Sequence, residues 1–264
     1  MRRNRFIKPL VCIVLVLLLV FLVIDRAGND IPEPDEETAE QPSAEPVQET
    51  EFRPTVAPAT PEPTPDLPEI DRKSWEYILI NDLDLSNHLK STYVPETELV
   101  ENGIELSSRT AEYFRQFLAD ARAEGFEVEL QTGYRSYTAQ EYIFNGRASG
   151  IFDSQKGISY EDAVEQARKA VAYPGSSEHQ LGMSADIIDS NYGEFDTGMA
   201  VSPAMQWMTE HCAEYGLILR YPENKTEVTG RSFEPWHFRY VGHEAAEYIM
   251  ENGLCLEEFL ALYD

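Results

Sequence analysis

An α+β domain is the fold class the sequence predicts, and three observations predict it. Phe126–Gln131 alternates strictly apolar and polar, as a half-buried strand does, and Trp236–Tyr240 repeats the same period of two. A short apolar run, Met183–Ile188, reads as another strand. Segments with helical spacing and recognisable caps separate these strands.

The chain has 264 residues and a formal net charge of -26. So acidic a chain does not neutralise phosphates, which excludes nucleic acid as a partner. Three regions are expected: a membrane segment over residues 1–26, an acidic Pro-rich linker over 27–70, and a folded domain over 71–264.

Arg2, Arg3, Arg5 and Lys8 precede an uncharged apolar run from Pro9 to Ile24, closed by Asp25. That pattern directs a chain to the cytoplasmic membrane. No small-x-small cleavage signal follows, so an uncleaved single-pass anchor is favoured over a removed signal peptide. The positive residues would keep the N-terminus in the cytoplasm and place the rest of the chain outside. Residues 27–70 are rich in Pro, Glu, Asp, Thr and Ala. Such a stretch buries too little apolar surface to offset chain entropy and reads as a disordered stalk. Its reach would run from about 35 Å as a coil to roughly 120 Å as polyproline II.

Within the domain, Trp75–Ile80 reads as a strand entering a loop, Asn81–Pro95. Ser107 or Ser108 can cap a helix with Phe114, Phe117, Leu118 and Ala121 on one face, stopped by Gly125. The strand Phe126–Gln131 runs into Thr132-Gly133-Tyr134-Arg135-Ser136 and then a helix through Glu141, Tyr142 and Phe144. Ser159 opens a further helix to about Val171, broken at Tyr173-Pro174-Gly175. Ser202-Pro203 supplies the N-cap and first turn of a helix to Tyr215. Period two puts Trp236, Phe238 and Tyr240 on one face of the last strand, with His237 and Arg239 on the other. Pro235 cannot donate to a sheet, so Glu234 belongs to a turn before that strand. Helices from His243 and from Leu254 to Tyr263 close the chain. Cys212 shares an apolar helix face with Ala204, Met208 and Tyr215, where a buried thiol is favoured over a bridge to Cys255.

Two stretches carry chemistry. In Ser177-Glu178-His179-Gln180-Leu181-Gly182-Met183-Ser184-Ala185-Asp186, a Gly turn lets His179 and Asp186 converge; Glu234-Pro235-Trp236-His237 follows fifty residues on. Two imidazoles and two carboxylates match a catalytic zinc site with three ligands, an open position and a base. On spacing alone, structural roles for these residues stay open, and Arg135 reads equally well as a surface arginine.

These motifs, with Thr132 through Ser136, Pro174 through Gln180, Leu219-Arg220-Tyr221-Pro222 and Glu234 through Gly242, resemble the VanY-type zinc D,D-carboxypeptidases, relatives of the VanX dipeptidases. The resemblance covers about Trp75 onwards. It implies a small antiparallel sheet flanked by helices, of the Hedgehog/D,D-peptidase-like kind. By the same resemblance, His179, Asp186 and His237 bind Zn2+, Glu234 acts as general base and acid, and Arg135 stabilises the developing oxyanion and holds the peptide. Gln140 and Ser177 match positions lining the substrate site. The implied reaction removes the terminal D-Ala from peptidoglycan stem peptides. An L,D-carboxypeptidase acting on tetrapeptide stems shares the motif set, and a non-catalytic wall-binding module is disfavoured because it needs no Glu234. Ser184 replaces the family's Ala, and Leu181 is expected to shape the pocket wall.

Overall fold

The computed structural model describes residues 66–263. The expected membrane segment and all but the end of the expected linker lie outside the described residues. Among the described residues, no helix is long and apolar enough to cross a membrane.

In chain order the elements are β1 (Thr97–Glu101), β2 (Ile104–Ser107), α1 (Ala111–Ala123), β3 (Val128–Thr132), α2 (Tyr137–Ser154) and α3 (Tyr160–Ala170). Then come β4 (Ser184–Asp189), α4 (Pro203–His211), β5 (Leu217–Leu219), the short α5 (Thr226–Thr229), β6 (His237–Tyr240), α6 (His243–Glu251) and α7 (Leu256–Ala261). The fold is α+β, built on two small antiparallel sheets. One is the β1–β2 hairpin; the other has four strands in the order β3-β4-β6-β5, every neighbouring pair antiparallel.

Helix α1 buries Phe114, Phe117, Leu118 and Ala121 against the larger sheet, and Gly125 follows its end at φ +93°. Phe117 lies 5.3 Å from Phe238 and 5.0 Å from Tyr215, ring centre to ring centre. Aromatic pairs at such spacing each contribute about 0.5–1.5 kcal/mol beyond area burial. On β6 the period of two is observed: Phe238 and Tyr240 enter this core, while His237 and Arg239 take the other face, all four buried. Ser136 and Ser159 cap α2 and α3, accepting from the amides of Ala139 and Asp162. Ser202 caps α4, which carries Pro203 in its first turn and continues as a 3-10 turn through Tyr215. Helices α6 and α7 cover a second cluster with Ile218 and Val241.

Three expectations are corrected. Trp75–Tyr77 is a 3-10 turn rather than the start of a strand. The carbonyls of Glu76 and Ile78 accept from Arg239 Nη2, and the Trp75 ring stacks on Tyr240, so a buried side chain occupies the place of a neighbouring strand. Helix α1 starts after Thr110, because Ser107 is still in β2 and its backbone amide donates to the Gly182 carbonyl. The hairpin before it lies where no strand was expected. Its turn is Asn102-Gly103, with φ of +51° and +81°, the backbone that a tight two-residue hairpin requires. Cys212 and Cys255 are both buried free thiols.

Candidate metal centre

Strand pairing sets the first two ligands. Asp186 on β4 lies directly opposite His237 on β6, and the Ile187 amide donates to the Trp236 carbonyl beside them. His179 arrives from a 3-10 turn, Glu178–Leu181, which ends at Gly182 in the left-handed region at φ +70°. A Cβ there would lie 3.0 Å from the Ser107 amide nitrogen, so the tight return of the chain favours glycine. The exit of β3 holds His179 twice. Its Nδ1 donates to the Gly133 carbonyl at 2.9 Å, and its own carbonyl accepts from the Arg135 amide at 3.0 Å. A carbonyl only accepts, so Nδ1 carries the proton and Nε2 keeps the lone pair.

His179 Nε2 lies 3.2 Å from Asp186 Oδ2, and His237 Nδ1 lies 2.8 Å from Asp186 Oδ1. One ligand atom from each of the three buried residues falls within 4.8 Å of the others. Two imidazole nitrogens and a carboxylate oxygen converging in this way fit zinc. Burial would raise the Asp186 pKa, but the two imidazoles override it and hold the carboxyl well below its usual range. Burial favours neutral rings. His179 is accordingly pushed down, whereas the carboxylates of Asp186 and Glu178 override burial at His237 and raise it to about 9.

The triad opens into a cleft of about 220 Å³ bordered by Arg135, Ser177, Arg231, Glu234 and Trp236. Glu234 Oε2 stands 4.0 Å from His237 Nδ1, and the side chain is 22% exposed, open to the cleft. Burial raises its pKa, opposed by His237 and Arg231. The structure therefore brings together all seven residues that the sequence singled out. Gln140 is wholly buried, and its two amide atoms are engaged by Arg135 and the Ala172 carbonyl. Leu181 does not reach this cleft. It lines a separate hollow of about 490 Å³ with Trp75, Tyr93 and Arg109, which contains none of the seven.

Sequence reasoning missed Arg231, Tyr221 and Trp236 in the cleft wall, and Glu178 beneath His237. The last had a partial signal: period two put Arg239 on the same strand face as His237, and a guanidinium buried there needs a buried anion.

Fold and site together define a mononuclear zinc peptidase. The family model for VanY, D-alanyl-D-alanine carboxypeptidase, matches residues 103–243. A D-alanyl-D-alanine carboxypeptidase of Enterococcus faecalis (strain ATCC 700802 / V583) is 39% identical over 190 residues, 72% of this chain and 67% of that protein. The crystal structure of a point mutant of the vancomycin-resistance D,D-pentapeptidase VanY from the VanB-type cassette, in complex with Zn(II), is similar with a TM-score of 0.61 and 37% identity. That match covers 71% of this chain and 99% of that one. The LdcB LD-carboxypeptidase structure also has a TM-score of 0.61, at 30% identity, covering 74% of this chain and 93% of that one. This chain belongs to the VanY family of D-alanyl-D-alanine carboxypeptidases, and His179, Asp186 and His237 are its zinc site.

Proposed function

We propose that the protein is a zinc-dependent D,D-carboxypeptidase that removes the terminal D-Ala from peptidoglycan stem peptides. One observation carries the proposal: a second carboxylate, Glu234, stands free in the cleft beside the complete His-Asp-His set. A module that only bound wall peptides would have no use for that group.

Zinc held by His179, Asp186 and His237 would act as a Lewis acid that lowers the pKa of a water molecule toward roughly 7. Glu234 removes the water's proton and returns it to the departing amine, a transfer that typically contributes about 10²- to 10⁴-fold. Arg135 stabilises the charge that develops on the scissile carbonyl oxygen. Ser177, which lines the same cleft, is assigned a contact to the peptide.

The test offers the zinc-loaded protein muramyl pentapeptide and tetrapeptide side by side. Mass spectrometry is expected to show loss of one residue from the pentapeptide, and Glu234→Ala to keep zinc but lose turnover. Undiminished activity in that variant overturns the mechanism. Cleavage confined to the tetrapeptide replaces the D,D assignment with the L,D one, which the likeness to LdcB supports.

The leader's charge pattern supports a further part of the proposal: a membrane-anchored enzyme whose linker extends an external catalytic domain toward the wall. Protease added to intact cells would digest that domain. Protection until lysis would refute the topology.

A further inference from the structure

Beneath His237 lies a buried group of charges that no step above uses. Glu178 Oε1 accepts from Arg220 Nε at 2.8 Å and from Arg239 Nη1 at 2.7 Å, and all three side chains are sealed from solvent. The remaining donors are occupied. Arg220 gives its other two nitrogens to the Glu257 carboxylate, and Arg239 gives its own to the carbonyls of Glu76, Ile78 and Tyr240.

Glu178 Oε2 is left without a partner, and so is His237 Nε2; the two face each other at 3.6 Å. A buried polar atom left unpaired is costly. One is an acceptor, and the other can be a donor, so a small approach pairs them. The opposite edge of the same ring is turned to Asp186 through Nδ1.

From this arrangement we propose that Glu178 is a positioning residue for the zinc ligand His237. Its Oε2 accepts the Nε2 proton, which fixes the tautomer whose Nδ1 lone pair serves the metal site. The two ligand histidines are then oriented by opposite devices: His179 by a neutral carbonyl at Nδ1, His237 by a carboxylate at Nε2. Only a carboxylate suits position 178, since one oxygen must accept from two guanidinium groups while the other accepts from the ring. A glutamine amide would set an N–H donor against one of those two sides.

The proposal rests on the zinc-site assignment, and two measurements separate the questions. In the zinc-loaded wild type, imidazole ¹⁵N NMR is expected to show His237 metal-bound at Nδ1 and protonated at Nε2. The opposite pattern overturns the proposal, whereas a wild type that binds no zinc overturns the site itself. In Glu178→Gln, competition against a chelator is expected to show zinc bound about 10- to 100-fold more weakly, the usual effect of losing a group that orients a metal ligand. A folded variant, verified by near-ultraviolet circular dichroism, with wild-type zinc affinity overturns the proposal. A merely structural role would lower the zinc-free melting temperature and leave both readouts unmoved. Should the variant fail to fold, the NMR pattern of the wild type decides.

Discussion

Arg135 Nη1 donates to Gln140 Oε1 at 2.9 Å, and Gln140 Nε2 in turn donates to the Ala172 carbonyl at 2.7 Å. The guanidinium assigned to the oxyanion is thus braced from the first turns of α2 against the segment after α3. Gln140→Leu is expected to keep wild-type zinc affinity while lowering kcat/KM about tenfold, the loss of one charge-assisted hydrogen bond that aims Arg135. Arg135→Ala should cost more, about 10²- to 10³-fold in kcat. Steady-state kinetics on a pentapeptide would check both, and equal losses would remove the distinction between aiming and stabilising.

Zinc should also hold the fold together, because its three ligands come from β4, β6 and the turn between α3 and β4. At free zinc 100-fold above Kd, binding to the native state contributes about 2.7 kcal/mol, or roughly 5–10 °C for a domain of this size. Thermal melts with and without chelator would read that shift. An unchanged melting temperature would count against a preformed site.

Gly133 sits where the exit of β3 crosses β2. A Cβ there would collide with the Glu105 carbonyl and approach Ile104 Cγ2 to 2.7 Å. Its own carbonyl holds the His179 ring. Gly133→Ala should therefore cost about 1–3 kcal/mol of stability and also weaken zinc binding. Stability and zinc affinity measured together would expose a change in one without the other.

The pH dependence of stability has a contributor far from the zinc. Glu101 accepts from both terminal nitrogens of Arg122 at 2.8 Å and from the Leu130 amide at 3.1 Å, which joins the hairpin to α1 and β3. Hydrogen bonding from Arg122 lowers its pKa, with burial opposing. A carboxyl whose folded pKa is depressed adds stability above its unfolded pKa of about 4.3, and that stability disappears as pH falls through the folded value. Glu101→Gln is expected to lose about 1 kcal/mol at pH 7, allowing for solvent around Arg122, and to show a flatter decline below pH ~4.5. Urea midpoints from pH 7 to pH 3 would test the slope.

What the sequence made legible was local. The period of two on β6 put His237 on the face opposite Phe238 and Tyr240, and the Gly182 turn let His179 and Asp186 converge. The serine caps at Ser159 and Ser202 placed α3 and α4. The Asn102-Gly103 hairpin was readable from its turn residues, but Pro95 and the weak alternation of Thr97–Glu101 obscured it. Trp75–Ile80 has strand composition, yet its carbonyls are used by Arg239, a partner more than 160 residues away. Partners 42 and 61 residues away likewise hid Glu178. Beside His179 it reads as one more acid in an acidic chain, and its burial becomes apparent only when Arg220 and Arg239 are seen converging on it.

The Arg220 fork, shared between Glu178 and Glu257, has a consequence for the order of assembly. A chain is made from its N-terminus, so the motif bearing His179 leaves the ribosome before β6, and β6 before α7. Until Leu256–Ala261 has emerged, Glu257 is absent and both terminal nitrogens of Arg220 lack their counter-charge. The foundation under His237 closes only once that helix docks. The zinc site therefore rests, through Arg220 and Glu178, on a helix that supplies no ligand of its own.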